Sequence, residues 1–331
     1  MNTFGRIFRV HIFGESHGKG VGVVIDGVPS GLPLNFDDFK TDLGRRRAGA
    51  KGTTPRKEAD LPHLHTGVFN DFTTGAPLSI MFENTNTRSK DYSKLKTHPR
   101  PGHADFVAEK KYGGFQDYRG GGHFSARLTL PIVAAGVVAK KLLGDIKIEA
   151  TLIEAGGNPN IDQAIDKAME ESDSIGGIIE CRVSNMPVGL GEPYFDSLES
   201  LISHVIFAIP AIKGIEFGAG FQAARMKGSE HNDEIIDSNG HTKSNHAGGI
   251  NGGISNGNDL VFRIAVKPTS SISLKQDTYN LESGKVEELI IEGRHDLCVA
   301  LRASVIVEAM TAIVLADCMM VENRIDRVIK Y

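Results

Sequence analysis

Cysteine is scarce and charge is nearly balanced in this chain of 331 residues. Its three cysteines, Cys181, Cys298 and Cys318, stand far apart without a CxxC pair. That excludes a disulfide framework and a zinc knuckle and points to a reducing compartment. A formal net charge of −4 offers no extended face to nucleic acid, so any anion site is local. The opening stretch MNTFGRIFRV lacks the apolar core and cleavage site of a signal peptide, and no uncharged apolar run reaches membrane length. A soluble cytoplasmic protein is expected, with neither nucleic acid nor membrane among its partners. The usual nucleotide cradles are missing too: there is no G-x-x-x-x-G-K-[ST], and no G-x-G-x-x-G follows a strand.

What the chain does have is glycine and two long apolar segments. IFRVHIFGESHGKGVGVVIDGVP predicts two short strands around a loop at 14–20, and HLHTGVF and APLSIMFEN predict further strands. NFDDFKTDLGRRR predicts a short helix capped by Asn35 and ending in Arg45, Arg46 and Arg47, followed by a loop through AGAKGTTPRKEAD. Residues 125–143, SARLTLPIVAAGVVAKKLL, are apolar almost all round, with Pro131 tolerable only near a helix start. The middle third reads strand, helix, strand, helix, strand, an alternation that leans towards an α/β unit within a layered fold. Residues 226–257 lose periodicity, LVFRIAVKP returns to strand, and 297–320 read as a second long apolar helix. A helix apolar on every face must be buried by other elements, so two of them imply a thick layered core. With no repeat and no linker, a single domain over 1–331 is expected.

The polar residues of interest fall between these elements. GESHG holds His17; RPGHADF holds Arg100, His103 and Asp105; RGGGHFSAR holds His123, Ser125 and Arg127. SNHAGGINGGISNGND is glycine-rich, KPTSSIS offers Lys267 with hydroxyls, and GRHDLC brings Arg294, His295 and Asp296 to the last helix. Glycine lets backbone N–H groups approach an anion, helix starts supply more donors, and arginine forks grip phosphate or carboxylate. Histidine near neutrality moves protons. Two such sets suit two phosphorylated ligands. His63 and His65 form an H-x-H without a third ligand nearby, so no metal is expected.

The motifs FGESHG, DLGRRRAG, RPGHADF, RGGGHFSAR, SNHAGGINGGIS, KPTSSI and GRHDLCVALRASVIVEAMTAIVLAD, in this order and spacing, resemble the chorismate synthase family from about Asn2 to Asp317. The resemblance implies an α+β fold, one large layered domain with buried helices sandwiched between antiparallel β-sheets, assembled as a homotetramer. It also implies a lyase of the shikimate pathway. That enzyme eliminates phosphate in trans from 5-enolpyruvylshikimate 3-phosphate to give chorismate, and it requires reduced FMN (FMNH2) without net redox change. NADPH would serve as an indirect reductant, and an external flavin reductase is expected rather than self-reduction.

Carried over position by position, His17 resembles the histidine at the leaving phosphate, His103 the one beside the flavin, and Asp296 the carboxylate near flavin N5. Arg46, Lys51, Arg100 and Arg127 match basic residues around substrate or NADP. The flavin segments correspond to His123, Phe124 and Ser125, to Pro210 and Ala211, to Gly252, to Lys267, Pro268, Thr269, Ser270 and Ser271, and to Arg294. GHFSAR departs from the common Gly-Arg-Ser-Ser-Ala-Arg, RRRAG lacks the usual proline, and IPAIKG replaces a frequent Asn-Ala. Two rival readings are a metal-dependent phosphohydrolase built on His63, His65, His103 and Asp105, and an anion-binding protein without turnover.

Overall fold

The computed structural model describes residues 1–49, 51–54, 58–86, 92, 94–291 and 295–330. The first sheet has five antiparallel strands in the order β1 (Thr3–Phe4), β2 (Arg9–Gly14), β3 (Gly20–Asp26), β7 (Leu78–Glu83) and β4 (His63–Thr66). A short ribbon of β5 (Val68–Phe69) and β6 (Phe72–Thr73) joins β4 to β7. The second sheet is also antiparallel, in the order β10 (Ile212–Phe217), β13 (Leu260–Val266), β9 (Gly177–Ser184) and β8 (Lys147–Ala155). Between β10 and β13 lies a two-strand hairpin, β11 (Ile250–Asn251) and β12 (Ile254–Ser255).

Helices α3 (Thr129–Leu142) and α7 (Ser304–Val321) fill the space between the two sheets. α3 lies on β3 and β7, α7 lies on β8 and β9, and the two pack on one another. Gly136 permits that close approach, since a Cβ there would stand 2.3 Å from the Ala309 Cβ. Every residue from Thr129 to Ala139 is buried, and so is every residue of α7 from Val305 to Cys318. By length and composition α7 would reach across a membrane, although the sequence shows no such run at first reading. Here it is enclosed by protein on all sides, and one continuous hydrophobic cluster runs from sheet to sheet through it. The layered α+β architecture is therefore the expected one.

Flanking helices complete the layer: α1 (Lys40–Arg46) on α3 and α7, α4 (Ile161–Glu171) on β8, and α5 (Leu198–Ile206) on α7 and β10. Asn35 begins a capping box with Asp38 just before α1, as its sequence suggests. Three readings are corrected. The middle third is not parallel α/β: β8 and β9 pair antiparallel despite the helix between them, and β13 inserts between β9 and β10. Alternate burial along KIEATLIEA is the signature of an antiparallel strand with one wet face.

The second correction concerns the last helix, which starts at Ser304 and not at 297. The N–H groups of Leu297 and Cys298 donate to the Gly52 carbonyl (3.0 and 3.3 Å), holding this segment extended. A 3-10 turn at Val299–Arg302 follows. Third, α2 (Asp105–Tyr112) and the hairpin β14 (Gln276–Asn280) with β15 (Lys285–Leu289) carry no apolar period and were not legible. A four-residue helix, α6 (Gly228–His231), lies in the glycine-rich third.

Candidate active site

The RGGGHF stretch forms a 3-10 turn broken by Gly120, Gly121 and Gly122, whose φ values are 59°, 79° and 52°. A side chain is excluded at Gly120, where a Cβ would lie 2.5 Å from His17 Cδ2 and 2.6 Å from its Nε2. One residue on, a Cβ at Gly121 would lie 3.5 Å from His103 Cε1. The turn therefore runs against both histidines, which are 86 residues apart in sequence (103 − 17). This is what the three glycines before His123 achieve.

His17 is 8% exposed and meets the edge of Tyr92, with ring centroids 5.1 Å apart at 84°. Its loop is held by Asn84, whose Nδ2 donates to the carbonyls of Glu15 (2.9 Å) and Gly18 (3.0 Å). The Asn84 Oδ1 accepts from Arg127 Nε at 3.0 Å. Arg127 also donates to the Glu83 carbonyl (3.1 Å) and, through Nη1, to Asp60. Asp60 lies 3.7 Å from Arg46 as well, and all three side chains are almost wholly buried. Arg46 is anchored by Thr129 Oγ1 (3.0 Å) and the Ala126 carbonyl (2.9 Å) at the mouth of α3. Burial, then the like charges of Arg302 and Arg127, press the Arg46 guanidinium down to about 9.

His103 forms a second unit. Its Nδ1 lies 2.6 Å from Asp105 Oδ1, a contact that assigns the proton to Nδ1 and turns the other edge of the ring to the glycine turn. Arg100 grips the same carboxylate with Nε (2.7 Å) and Nη2 (2.9 Å) and donates through Nη1 to Ser271 Oγ (3.0 Å). Burial would raise the Asp105 carboxyl, but hydrogen bonds from Arg100 and His103 outweigh it and hold it far below the carboxylate range.

The third unit is Asp296. Its Oδ1 accepts from the Thr54 N–H (2.8 Å) and its Oδ2 from Arg302 Nη2 (2.7 Å). Lys51, in the same loop, turns outward to pair with Asp166 of α4.

The expected cofactor segments spread around these units. Lys267 Nζ donates to the Gly102 carbonyl (3.1 Å) and to Ser270 Oγ (2.8 Å), stitching KPTSS to the Arg100–His103 loop. Burial and then Lys213 lower the Lys267 ammonium. Thr269 Oγ1 is buried without a partner among the described residues, and Pro268 packs beside Gly176. Pro210 and Ala211 occupy a turn whose Ala211 carbonyl accepts the Lys267 N–H (2.9 Å). Nothing stands within 4 Å of where a Cβ at Gly252 would project. Ser125 caps the turn before α3 by accepting the Arg127 N–H at 3.3 Å.

Phe124 is partly exposed against Tyr112, and with His103 and Gly121 it lines a shallow cleft that opens to solvent. His123 uses both ring nitrogens within the chain: Nδ1 donates to the Gly14 carbonyl (2.9 Å) and Nε2 lies 3.0 Å from the Asn2 side chain. Arg294 lies outside the described residues.

Sequence reading missed Asp60, Tyr92 and Arg302. Arg302 did leave a signal, a lone cation inside the apolar run at 297–320. Asp60 and Tyr92 stand in polar loops and left none. Among the described residues no group of three or more His, Cys, Asp or Glu gathers as a metal site, so the phosphohydrolase reading lacks its constellation.

Buried helices between two antiparallel sheets, with two imidazole groups meeting at one glycine turn and guanidinium groups held in the adjoining loops, are the fold and residue set of an enzyme acting on a small molecule. The sequence profile described as Chorismate synthase matches residues 8–320. A chorismate synthase of Chitinophaga pinensis is 64% identical over the full length of both chains. One from Dehalococcoides mccartyi is 48% identical, covering 99% of each chain. A crystal structure of chorismate synthase superimposes with a TM-score of 0.72 at 28% identity, over 96% of this chain and 93% of that one. The chain belongs to the chorismate synthase family.

Proposed function

We infer that this chain catalyses the family's reaction, the trans elimination of phosphate from 5-enolpyruvylshikimate 3-phosphate to give chorismate, the last step of the shikimate pathway. It is a lyase. The observation that carries the assignment to this site is the glycine turn that touches His17 with one residue and His103 with the next.

The residues fit a phosphorylated flavin. Lys267 supplies a cation, Thr269 Oγ1 is a buried hydroxyl in want of a partner, and Gly252 leaves room for a ligand. Lys267 to Ser271, Ser125, Phe124 and the turn at Pro210–Ala211 would hold FMN, with His123 beside them; Arg294 joins this set by family resemblance alone. When bound, reduced flavin lends electron density as phosphate leaves and recovers it as the proton is lost.

His17, as imidazolium, donates to the departing phosphate oxygen, which leaves with the electron pair of the broken C–O bond. Arg46 and Arg127 orient the substrate's anionic groups, fixed by Asp60 and Asn84 so that little motion is needed on binding. Arg100 holds Asp105, Asp105 holds His103, and the free edge of His103 faces the glycine turn, where it favours the anionic reduced ring. The Asp296 carboxylate receives the substrate proton as the C–H bond breaks. Lys51 joins the substrate side on leaving Asp166. The flavin is reduced from outside the chain, with NADPH as indirect donor. Exposed aromatics at Tyr194, Phe195 and Phe221 support self-association into a tetramer.

The test is anaerobic phosphate release from 5-enolpyruvylshikimate 3-phosphate with reduced and with oxidised FMN. Release with reduced flavin alone is expected. FMN binding without release under either condition would leave the non-catalytic anion-binding reading in its place.

A further inference from the structure

Arg302 sits at the end of the 3-10 turn Val299–Arg302 that interrupts the approach to α7, and although it lies within the last recognised motif it is none of the site residues carried over from it. The turn exists because Leu297 and Cys298 are tied to the Gly52 carbonyl, while the Leu301 side chain packs beneath Gly52. Arg302 is thereby aimed at Asp296, with 15% of its side chain exposed. Its Nη2 serves Asp296 Oδ2, and Asp296 Oδ1 already has the Thr54 N–H. The Arg302 Nε–H is buried and has no partner among the described residues.

An unmet guanidinium N–H in the interior is costly, and an incoming oxygen would remove that cost. Charge points the same way. Among the described residues, Arg46, Arg127 and Arg302 are three cations facing two carboxylates, Asp60 and Asp296, one positive charge in excess.

Resting on the function proposed above, we propose that Arg302 is a further substrate-binding residue. Its Nε–H edge takes an oxyanion of the substrate, carboxylate or phosphate, while its Nη2 keeps Asp296 as a fixed counter-ion. The depressed guanidinium of Arg46, whose largest like-charge influence is Arg302, agrees with a cluster suited to an anion.

Arg302→Lys separates recognition from simple charge pairing, because lysine retains a cation for Asp296 but loses the planar fork. Substrate binding is measured by calorimetry on enzyme with oxidised FMN, where no turnover occurs, and turnover is measured with reduced FMN. R302K is expected to raise Kd about tenfold, with an unchanged unfolding midpoint and a saturating rate within about threefold of wild type. R302Q is expected to weaken binding further.

Competition identifies the oxyanion. Weaker competition by inorganic phosphate in R302K assigns the phosphate group, and weaker competition by the dephosphorylated substrate alone assigns a carboxylate. Wild-type Kd in R302K overturns the proposal, even if R302Q unfolds. A fall in rate at unchanged Kd overturns it too, because Arg302 then serves only Asp296. Wild-type enzyme in the same series tests the functional reading separately: if it neither binds nor turns over the substrate, that reading fails first.

Discussion

Arg45 and Arg46 are consecutive on α1, and they end in two charge clusters of opposite kind, the first at the protein surface around the buried Glu308 and the second buried. Arg45 turns to Glu308 of α7, forming a two-pronged pair (2.7 Å for each contact), and Lys140 of α3 joins it at 2.8 Å with Asp42 alongside. Two cations face two carboxylates there, and Glu308 also accepts the Ala150 N–H of β8 (3.0 Å). That cluster is closed: it ties α1, α3, α7 and β8 together and has no charge left over. Arg46 turns the other way into a cluster with one cation too many and an unmet N–H. The pKa directions separate the two, since the Glu308 hydrogen bond raises Arg45 whereas burial and neighbouring guanidiniums lower Arg46. A balanced set of charges around a buried carboxylate is fastening. An unbalanced buried one is, on the function proposed above, a ligand site whose charge excess serves binding.

Breaking the closed cluster gives the largest expected effect. Glu308→Ala leaves Arg45 and Lys140 with Asp42 and solvent and leaves the buried Ala150 N–H of β8 without its acceptor, so it should destabilise the fold by about 1–3 kcal/mol. Denaturant unfolding checks this, while the substrate Kd of the molecules that remain folded should match wild type. A drop in affinity with little loss of stability would mean that the two clusters are not separate in role.

The open cluster should respond in reverse. Arg46→Met removes the surplus cation, leaving Arg127 and Arg302 against Asp60 and Asp296. Turnover over KM is expected to fall about a hundredfold, with an unfolding midpoint no lower than wild type because a repelled, buried charge has gone. Parallel loss of activity and stability would make Arg46 another fastener.

The pH dependence sharpens the same contrast. Burial and neighbouring guanidiniums bring folded Arg46 down to about 9, well below the free side chain. Between those values the unfolded chain holds a proton that the folded chain has released, so this group makes folding less favourable near neutrality and its penalty fades as pH rises. Ligand binding has the other sign, for it needs the cation. Substrate Kd should be flat from about pH 7 to 8.5 and should rise about tenfold per unit above pH 9. A Kd unchanged to about pH 10.5 would show that Arg46 keeps its proton without a ligand.

How much could be read beforehand follows the same division. The layers were legible because apolar pattern reports burial: α3, α7 and the alternating β13 (LVFRIAV) carry their positions in their composition. The site was legible where glycine or histidine marks an unusual demand on the chain, as at Gly120, His17 and His103. Asp60 and Tyr92 were not, because they act through long-range contacts that no local period records. Arg302 stands out as a lone cation, but its target was hidden: the run at 297–320 looks like one helix, and the Gly52 carbonyl that stops it at 298 is over 240 residues away in sequence. His123 shows the opposite limit. Its place in a cofactor segment was legible, but its bonds to Gly14 and Asn2 were not.

A small effect probes whether cost gathers on the site side in backbone as well as charge. Ala211 sits at φ 75° after Pro210, in the left-handed region that suits glycine at the third position of such a turn. Its carbonyl anchors the N–H of Lys267, so the strained residue positions the segment expected to meet the flavin. Ala211→Gly should relieve the strain and stabilise the fold by about 0.5–1 kcal/mol, less whatever the freer unfolded chain takes back. If alanine keeps the Lys267 anchor rigid, FMN affinity should fall up to about threefold in the same variant, read by flavin fluorescence titration. A gain in stability with unchanged FMN affinity would reduce Ala211 to an ordinary strained turn. The unbalanced charges around Arg46 would then be the site's own cost, with no share carried by the backbone at this turn.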